Sequence, residues 1–409
     1  MKRDYEINEN NEINEKPKFF RLFRYFRLFR NPSSFMRALI FFIPMLLAAT
    51  IFGQTSPASR FEDARRLQEE GRYAEAEAAY RAVLETEPRS IAALTNLGVT
   101  LARQKRFAEA ISAYQKVLEI EPSLAAVKLN LAIAYYQIED WKQATGWLEQ
   151  LLKNQPDDRR VRQLLAVCYV QSERFSEAAT AFDQLLPSED ASVLIGAATA
   201  YLKVGRYAEA AKLFDSVLSE RAGSAEVSFM LGLAHFGVQD YREAAVAFQR
   251  VVEMSPQNVE ARFYLGGVYF RQNKFDEAAD HWRAAAKLDS SYFPAVFALG
   301  ALLVERSHYE EAAVWLARAL AIDRSHPGTR QELGKLAYRK GDYQSALKYL
   351  SEAIELNPES KELSFMLANT HTRLGNTLEA RKEFERAKML YERDKNKDQD
   401  ILERALQKK

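Results

Sequence analysis

Apolar and polar positions along this chain follow a helical beat, and the beat itself recurs. In IAALTNLGVTLARQ (Ile91 to Gln104) and AVKLNLAIAYYQ (Ala126 to Gln137), apolar residues return three and four positions apart, predicting an amphipathic helix. A second helix follows a tight turn, as in GRYAEAEAAYRAVLETEP (Gly71 to Pro88), where an aromatic, an alanine and a second aromatic precede a closing proline. The central alanines stand at Ala76, Ala110, Ala144, Ala178, Ala210, Ala244, Ala278, Ala312, Ala346 and Ala380. Eight of their nine intervals are 34 residues, and the interval from Ala178 to Ala210 is 32. A fixed period of this size predicts stacked helix-turn-helix units.

Three slots explain the stacking. Twelve residues before each alanine stands Gly or Ala: Ala64, Gly98, Ala132, Ala166, Ala198, Gly232, Gly266, Gly300, Gly334 and Ala368. Four residues after it come Tyr80, Tyr114, Leu148, Phe182, Phe214, Phe248, Trp282, Leu316, Leu350 and Phe384. Three before it comes an aromatic, from Tyr73 to Tyr343, with only Thr377 departing. Small against large at fixed spacing is a packing code, and these residues are expected in the core. The turn falls at Gly71, Gly205, Gly341 and Gly375, suited to a positive φ, and at Lys105, Glu139, Glu173, Gln239, Asn273 and Ser307 elsewhere. Glu precedes the alanine in eight of ten units, near the positive end of a helix dipole.

The units resemble tetratricopeptide repeats. Leu97-Gly98, Leu231-Gly232, Leu265-Gly266, Leu299-Gly300 and Leu333-Gly334 carry the family's Leu-Gly pair; Tyr135, Tyr169, Tyr201 and Tyr269 fill its next aromatic slot, with His235 and His371 departing from it. The resemblance covers Ser59 to Asp394, ten units. It implies an all-α solenoid, a right-handed superhelix whose first helices line a concave groove for peptides or proteins, and it implies no reaction. The short interval at LLPSEDASVL (Leu185 to Leu194) leaves two readings open, a division into four and six units or a tolerated loop deletion. In the first unit Asp63 replaces the usual leucine, as suits a terminal unit. The charged stretch Lys388 to Lys409 is expected to cover the last apolar face, with residues 395–409 as a capping helix.

The first sixty residues break the pattern. Residues 1–37 begin polar and Asn/Glu-rich, then turn basic and aromatic in RLFRYFRLFR (Arg21 to Arg30), which fits either an anionic membrane surface or a plain basic flank. Ala38 to Phe52 is uncharged, and no charge returns before Arg60. As a helix it would reach only about 22 Å of a roughly 30 Å hydrocarbon layer, and Pro44 interrupts it. Residues 38–58 therefore predict a signal-peptide region, or else an uncleaved anchor; a start at Met36 would give an ordinary signal. Both readings export the array, to the periplasm or the outer side of the inner membrane.

Charge then narrows the partner. The 57 basic and 56 acidic residues nearly cancel, but ten basic and five acidic ones fall in residues 1–60, leaving a mildly acidic array with no electrostatic reason to bind nucleic acid. The five histidines lie too far apart in sequence for a helical metal pair, and there is neither a GxSxG elbow nor a phosphate loop. Cys168 stands alone, so no internal disulfide forms, and its place suggests a small buried hydrophobe. No cofactor, metal or small-molecule substrate is expected, and no enzymatic activity.

First-helix residues offer Phe229, Met230, Phe236, Phe263, Tyr264, Phe270 and Phe297 as an apolar partner-binding groove for an extended peptide or an amphipathic helix, with polar ends that set orientation, against the alternative that several pack between adjacent helices. Asn96, Asn130, Gln137, Gln163 and Gln171 precede it; Lys335, Arg339, Asn369 and Arg373 follow. These do not reproduce the family's clamp for chaperone tails. The expectation is an exported adaptor in a bacterial envelope that binds a protein or peptide. The competing readings are an accessory subunit of an envelope glycan, lipid or secretion assembly system, and a cytoplasmic regulator.

Overall fold

The computed structural model describes residues 57–220 and 224–407. The basic-aromatic run and the hydrophobic stretch of residues 38–58 lie outside them, apart from the last two positions of that stretch, which open the first helix. The described residues form twenty helices and no strand. They divide at Pro88 and Arg89 into two units. The first holds one hairpin, α1 (Pro57–Glu69) and α2 (Tyr73–Thr86). The second holds α3 (Ile91–Arg103), α4 (Phe107–Ile120), α5 (Ala125–Gln137), α6 (Trp141–Asn154), α7 (Arg159–Gln171), α8 (Phe175–Asp183), α9 (Ala191–Lys203), α10 (Tyr207–Glu220) and α11 (Ala225–Gly237). It continues through α12 (Tyr241–Met254), α13 (Val259–Arg271), α14 (Phe275–Leu288), α15 (Phe293–Glu305), α16 (Tyr309–Ile322), α17 (Pro327–Arg339), α18 (Tyr343–Leu356), α19 (Lys361–Arg373) and α20 (Thr377–Gln407). Odd-numbered helices are the first of each pair and even-numbered the second, an all-α solenoid.

Within a hairpin the small and large slots meet. A Cβ added to Gly98 would lie 2.4 Å from the Tyr114 ring, to Gly232 2.7 Å from Phe248, and to Gly266 2.6 Å from Trp282. At Gly300 and Gly334 the same atom would lie 2.8 Å from Leu316 and 2.6 Å from Leu350. Only hydrogen fits there, so the helices close onto the large side chain, and Tyr114, Phe182, Phe214 and Phe248 are buried almost completely. The aromatics three before the alanine behave differently from expectation. Eight are half-buried and Tyr207 is exposed. They lie at the hairpin turn, ring edge against face on the first helix, as in Tyr136 with Trp141 at 5.1 Å and Tyr338 with Tyr343 at 5.4 Å.

Every turn holds one residue at positive φ, from 58° at Asn273 to 81° at Gly205. Four are glycine and six are not. The left-handed residue lets the next amide reach back five residues, Arg106 N to Leu101 O at 2.9 Å and Asp140 N to Tyr135 O at 3.0 Å, closing the orphan carbonyls of the first helix.

Successive hairpins are latched through the slot three residues after the small one. The Tyr135 hydroxyl accepts from Gln115 Nε2 at 3.1 Å, and the Tyr169 hydroxyl donates to Glu149 at 2.8 Å. The Tyr201 hydroxyl donates to Asp183, while His235 Nε2 stands 3.8 Å from Asp215. Arg206 completes one latch, its guanidinium 3.8 Å from the Tyr201 ring centroid and 3.0 Å from Asp183. That hydrogen bond, with a smaller contribution from Tyr201, holds the Asp183 carboxyl below the usual range against partial burial.

The short interval removes the last turn of a second helix. α8 has nine residues where α10 has fourteen, and Arg159 Nη2 donates to Leu185 O at 2.7 Å across the shortened link. One core runs from Ala132 to Ala247 through this point, so the deletion does not split the array. At the far end no separate capping helix forms. The chain from Lys388 to Gln407 lacks Gly and Pro, and α20 runs unbroken for 31 residues, tied at the link into α19 by Arg393 to Glu359 at 2.8 Å and Lys361 to Asp394 at 3.0 Å, with Phe365, Leu378, Met389 and Tyr391 exposed. The cap is instead a change of residue type. One residue after the alanine, Ile111, Thr145, Ala179 and Ala211 are buried, whereas α20 carries exposed Arg381; eight after it, Leu218, Val252 and Ile354 give way to exposed Lys388.

Glu139→Gly, at an exposed residue with φ of 64°, raises stability by about 0.5 to 1 kcal/mol in urea titration, and Gly341→Ala lowers it by about 1 kcal/mol. Tyr201→Phe lowers it by about 1 kcal/mol, a modest value because the Asp183 side chain is 43% exposed. A depressed carboxylate stabilises the fold above its unfolded value, near pH 4, and that contribution is lost as pH falls through the folded value; the gap between wild type and Tyr201→Phe therefore narrows in acid.

Candidate functional site

All seven groove candidates are half-buried. Their spacing separates them into two groups. Phe229 and Phe236 on α11, Phe263 and Phe270 on α13, and Phe297 on α15 share the open stripe of their helices, which continues through Leu233, Gly267 and Ala301. Met230 and Tyr264 each stand one residue further on, turned by about 100° toward the preceding first helix. Met230 receives the Thr199 hydroxyl on its sulfur at 3.6 Å. The Tyr264 ring meets Phe229 at 5.6 Å, Phe236 at 6.4 Å, Phe263 at 5.4 Å and, stacked, Phe248 at 5.4 Å. These two wedge successive first helices apart, which is the packing role weighed above; burial pushes the Tyr264 phenol up.

The open-stripe rings are anchored from below. Phe270 packs on Phe275 at 5.6 Å and Trp282 at 5.8 Å, and Phe263 on Tyr292 at 5.7 Å. Phe297 stacks on Phe293 at 5.7 Å and takes the His326 ring at 4.9 Å. His326 escaped the sequence reading. Its Nδ1 accepts from Thr329 N at 3.0 Å, capping α17, a role signalled only by its place before Pro327-Gly328. Gly267 also escaped it. Unlike the packing glycines, it would offer a Cβ nothing within 4 Å.

Four of the polar flank residues have partners. Gln163 Nε2 donates to Ser192 Oγ at 3.1 Å, Arg373 to the Tyr338 hydroxyl at 3.4 Å, and Asn369 to Phe365 O at 3.0 Å. Lys335 lies 3.6 Å from Glu305 and 3.5 Å from Glu332, whose carboxyl burial pushes up. Burial also drives the Cys168 thiol up to about 12, so it stays protonated and is no nucleophile near neutrality. Among the described residues, no group of three His, Cys, Asp or Glu side chains comes together to hold a metal.

Family profiles described as tetratricopeptide repeat match residues 101–168 and, in a second profile, 61–125, 195–237, 229–293, 268–327 and 332–397. The chain belongs to the tetratricopeptide-repeat family. Solved tetratricopeptide structures are similar in fold. A tetratricopeptide repeat protein from Parabacteroides merdae is 20% identical, with 57% of this chain and 93% of that one covered and a TM-score of 0.41. MamA from Desulfovibrio magneticus is 19% identical, covering 41% and 96%, TM-score 0.38. YrrB, described as a tetratricopeptide protein with an unusual peptide-binding site, is 22% identical, covering 44% and 95%, TM-score 0.38. No curated protein matches the chain.

Tyr264 is the element on which the aromatic repeats lean. Tyr264→Ala lowers stability by about 3 kcal/mol, read as faster amide exchange in α11 and α13 with α3 to α6 unchanged.

Proposed function

We propose that this tetratricopeptide-repeat chain is a non-catalytic scaffold that holds a protein or peptide segment against the open stripe of α11, α13 and α15. The observation that carries the reading is a contrast between the two helix rows. Large side chains on the second helices, such as Phe248 and Leu316, are fully buried, whereas Phe229, Phe263 and Phe297 repeat at the same place on three first helices and stay half-covered. A row of half-covered rings serves recognition, because it holds apolar area in reserve on a rigid support.

The chain works outside the cytoplasm, exported by residues 38–58. The support for this is the uncharged stretch with small residues at Gly53, Ser56 and Ala58 behind it. Among the described residues no helix is long and apolar enough to cross a membrane.

A photo-reactive phenylalanine analogue tests the groove. Placed at Phe297 it gives a cross-linked protein adduct in cells; placed at Val314, which is 61% exposed on α16, it gives none. Equal labelling at the two places rejects the groove. Fractionation with sequencing of the mature amino terminus tests export: recovery of the array in the cytosol rejects it.

A further inference from the structure

We propose that the segment held on α11, α13 and α15 is an amphipathic α-helix, lying across these three helices with one bulky apolar side chain seated over Gly267. The inference rests on the groove reading above and adds the partner's conformation and charge pattern.

Gly267 supplies the first observation. The glycine beside it, Gly266, faces Trp282 and has no room for a Cβ, and the turn glycines sit at positive φ. Gly267 answers to neither need: a Cβ there would meet nothing within 4 Å, and its helix would be firmer with alanine. Phe263 and Phe270 stand four residues before and three after it, on its own face. The result is an apolar notch between two rings.

The floor decides the conformation. Along the stripe, Phe263, Gly267, Phe270, Phe297 and Ala301 bear no side-chain donor or acceptor. An extended peptide pressed onto such a floor would leave backbone N–H and C=O groups without partners, whereas a helix satisfies its own. Charge then sets the flanks. The stripe begins with exposed Glu226 on α11 and Glu260 on α13 and ends with exposed Arg271 on α13; the matching place on α15 holds Glu305, 3.6 Å from Lys335, and exposed Lys203 stands beside the stripe on α9. Among the described residues Glu226 and Glu260 have no ionic partner, and Arg271 donates one bond, to the Tyr241 hydroxyl at 3.2 Å. From Glu260 to Arg271 the stripe runs about 16 Å, room for one helix of about 10 to 12 Å diameter. The bound helix therefore carries basic residues along the edge over Glu226 and Glu260 and acidic residues along the other, which fixes the direction in which it lies.

The probe is a fluorescein-labelled, side-chain-stapled helix of about 18 residues, with a leucine stripe holding one phenylalanine, a lysine row on one flank and a glutamate row on the other. A control has the same composition with two prolines that break the helix. Binding to the full chain is followed by anisotropy. The stapled probe binds and the proline control binds at least tenfold more weakly. Gly267→Leu fills the notch and weakens the stapled probe at least tenfold while its thermal midpoint stays at or above wild type. Glu226→Lys with Glu260→Lys reverses the preference in favour of a stapled probe with glutamate on both flanks. Equal binding to wild type and Gly267→Leu, or tighter binding of the proline control, overturns the helix while leaving the groove. Failure of both peptides, together with no adduct at Phe297, overturns both.

Discussion

The structure depends on one contact: a large side chain on the second helix of each pair pressed against a small residue on the first. Where the small residue is glycine, as at Gly98 against Tyr114, the gap is less than a methyl group could occupy. That closeness matters because two short helices cannot bury their own apolar faces in water. A helix of about 14 residues is marginal in isolation, so its stability must come from packing. The hairpin contact supplies half of the covering and the next hairpin supplies the other half. Such an array has no single centre. It can lose a turn at α8 without losing its core, because each neighbour still meets its neighbour.

Polar groups adjust this stack rather than hold it up. The latch from Tyr169 to Glu149 and from Tyr201 to Asp183 joins hairpins at places where the carboxylate remains partly in water, so each is worth little by itself. Their value lies in register: a hydroxyl and a carboxylate must meet at one height, which stops one apolar face from sliding along the next. The arginine over each ring, Arg174 on Tyr169 and Arg206 on Tyr201, restricts the same side chains from the solvent side.

Period, hairpin pairing, the small and large slots of every unit but the last, where Phe384 is exposed, and all ten turn positions were legible in the sequence, because each is dictated by contacts within one unit and is then repeated. Even the six non-glycine turn residues could be placed, since position in the repeat outweighs the penalty of a positive φ. What the sequence could not resolve depends on neighbouring units. Phe263 and Tyr264 are adjacent aromatics, and nothing in their chemistry says that one lies on the open stripe while the other wedges under Phe229 and Phe236. The aromatics at the hairpin turns read as core by type, yet the turn ends where water begins, and they are only half covered. The form of the terminal cover also depends on the neighbouring unit, since Arg393 meets Glu359 at 2.8 Å and Lys361 meets Asp394 at 3.0 Å across to the link into α19. A charged stretch without a helix breaker has no means of turning back, so α20 ran on and Arg381 and Lys388 did the capping.

The open stripe also follows from the stack. First helices set side by side must be kept apart by whatever lies between them, and bulky wedges at Met230 and Tyr264 do this for α11 and α13. Wedges that large are themselves supported by rings from both sides, and this places Phe229, Phe236 and Phe263 beside them. The apolar character of the stripe thus follows in part from spacing the helices, and the same rings that support the wedges stand half-covered on the open side. Gly267 is different, since no spacing requirement, close contact or turn geometry calls for it. Gly146 on α6 is as open, and what sets Gly267 apart is its place between Phe263 and Phe270 on the stripe.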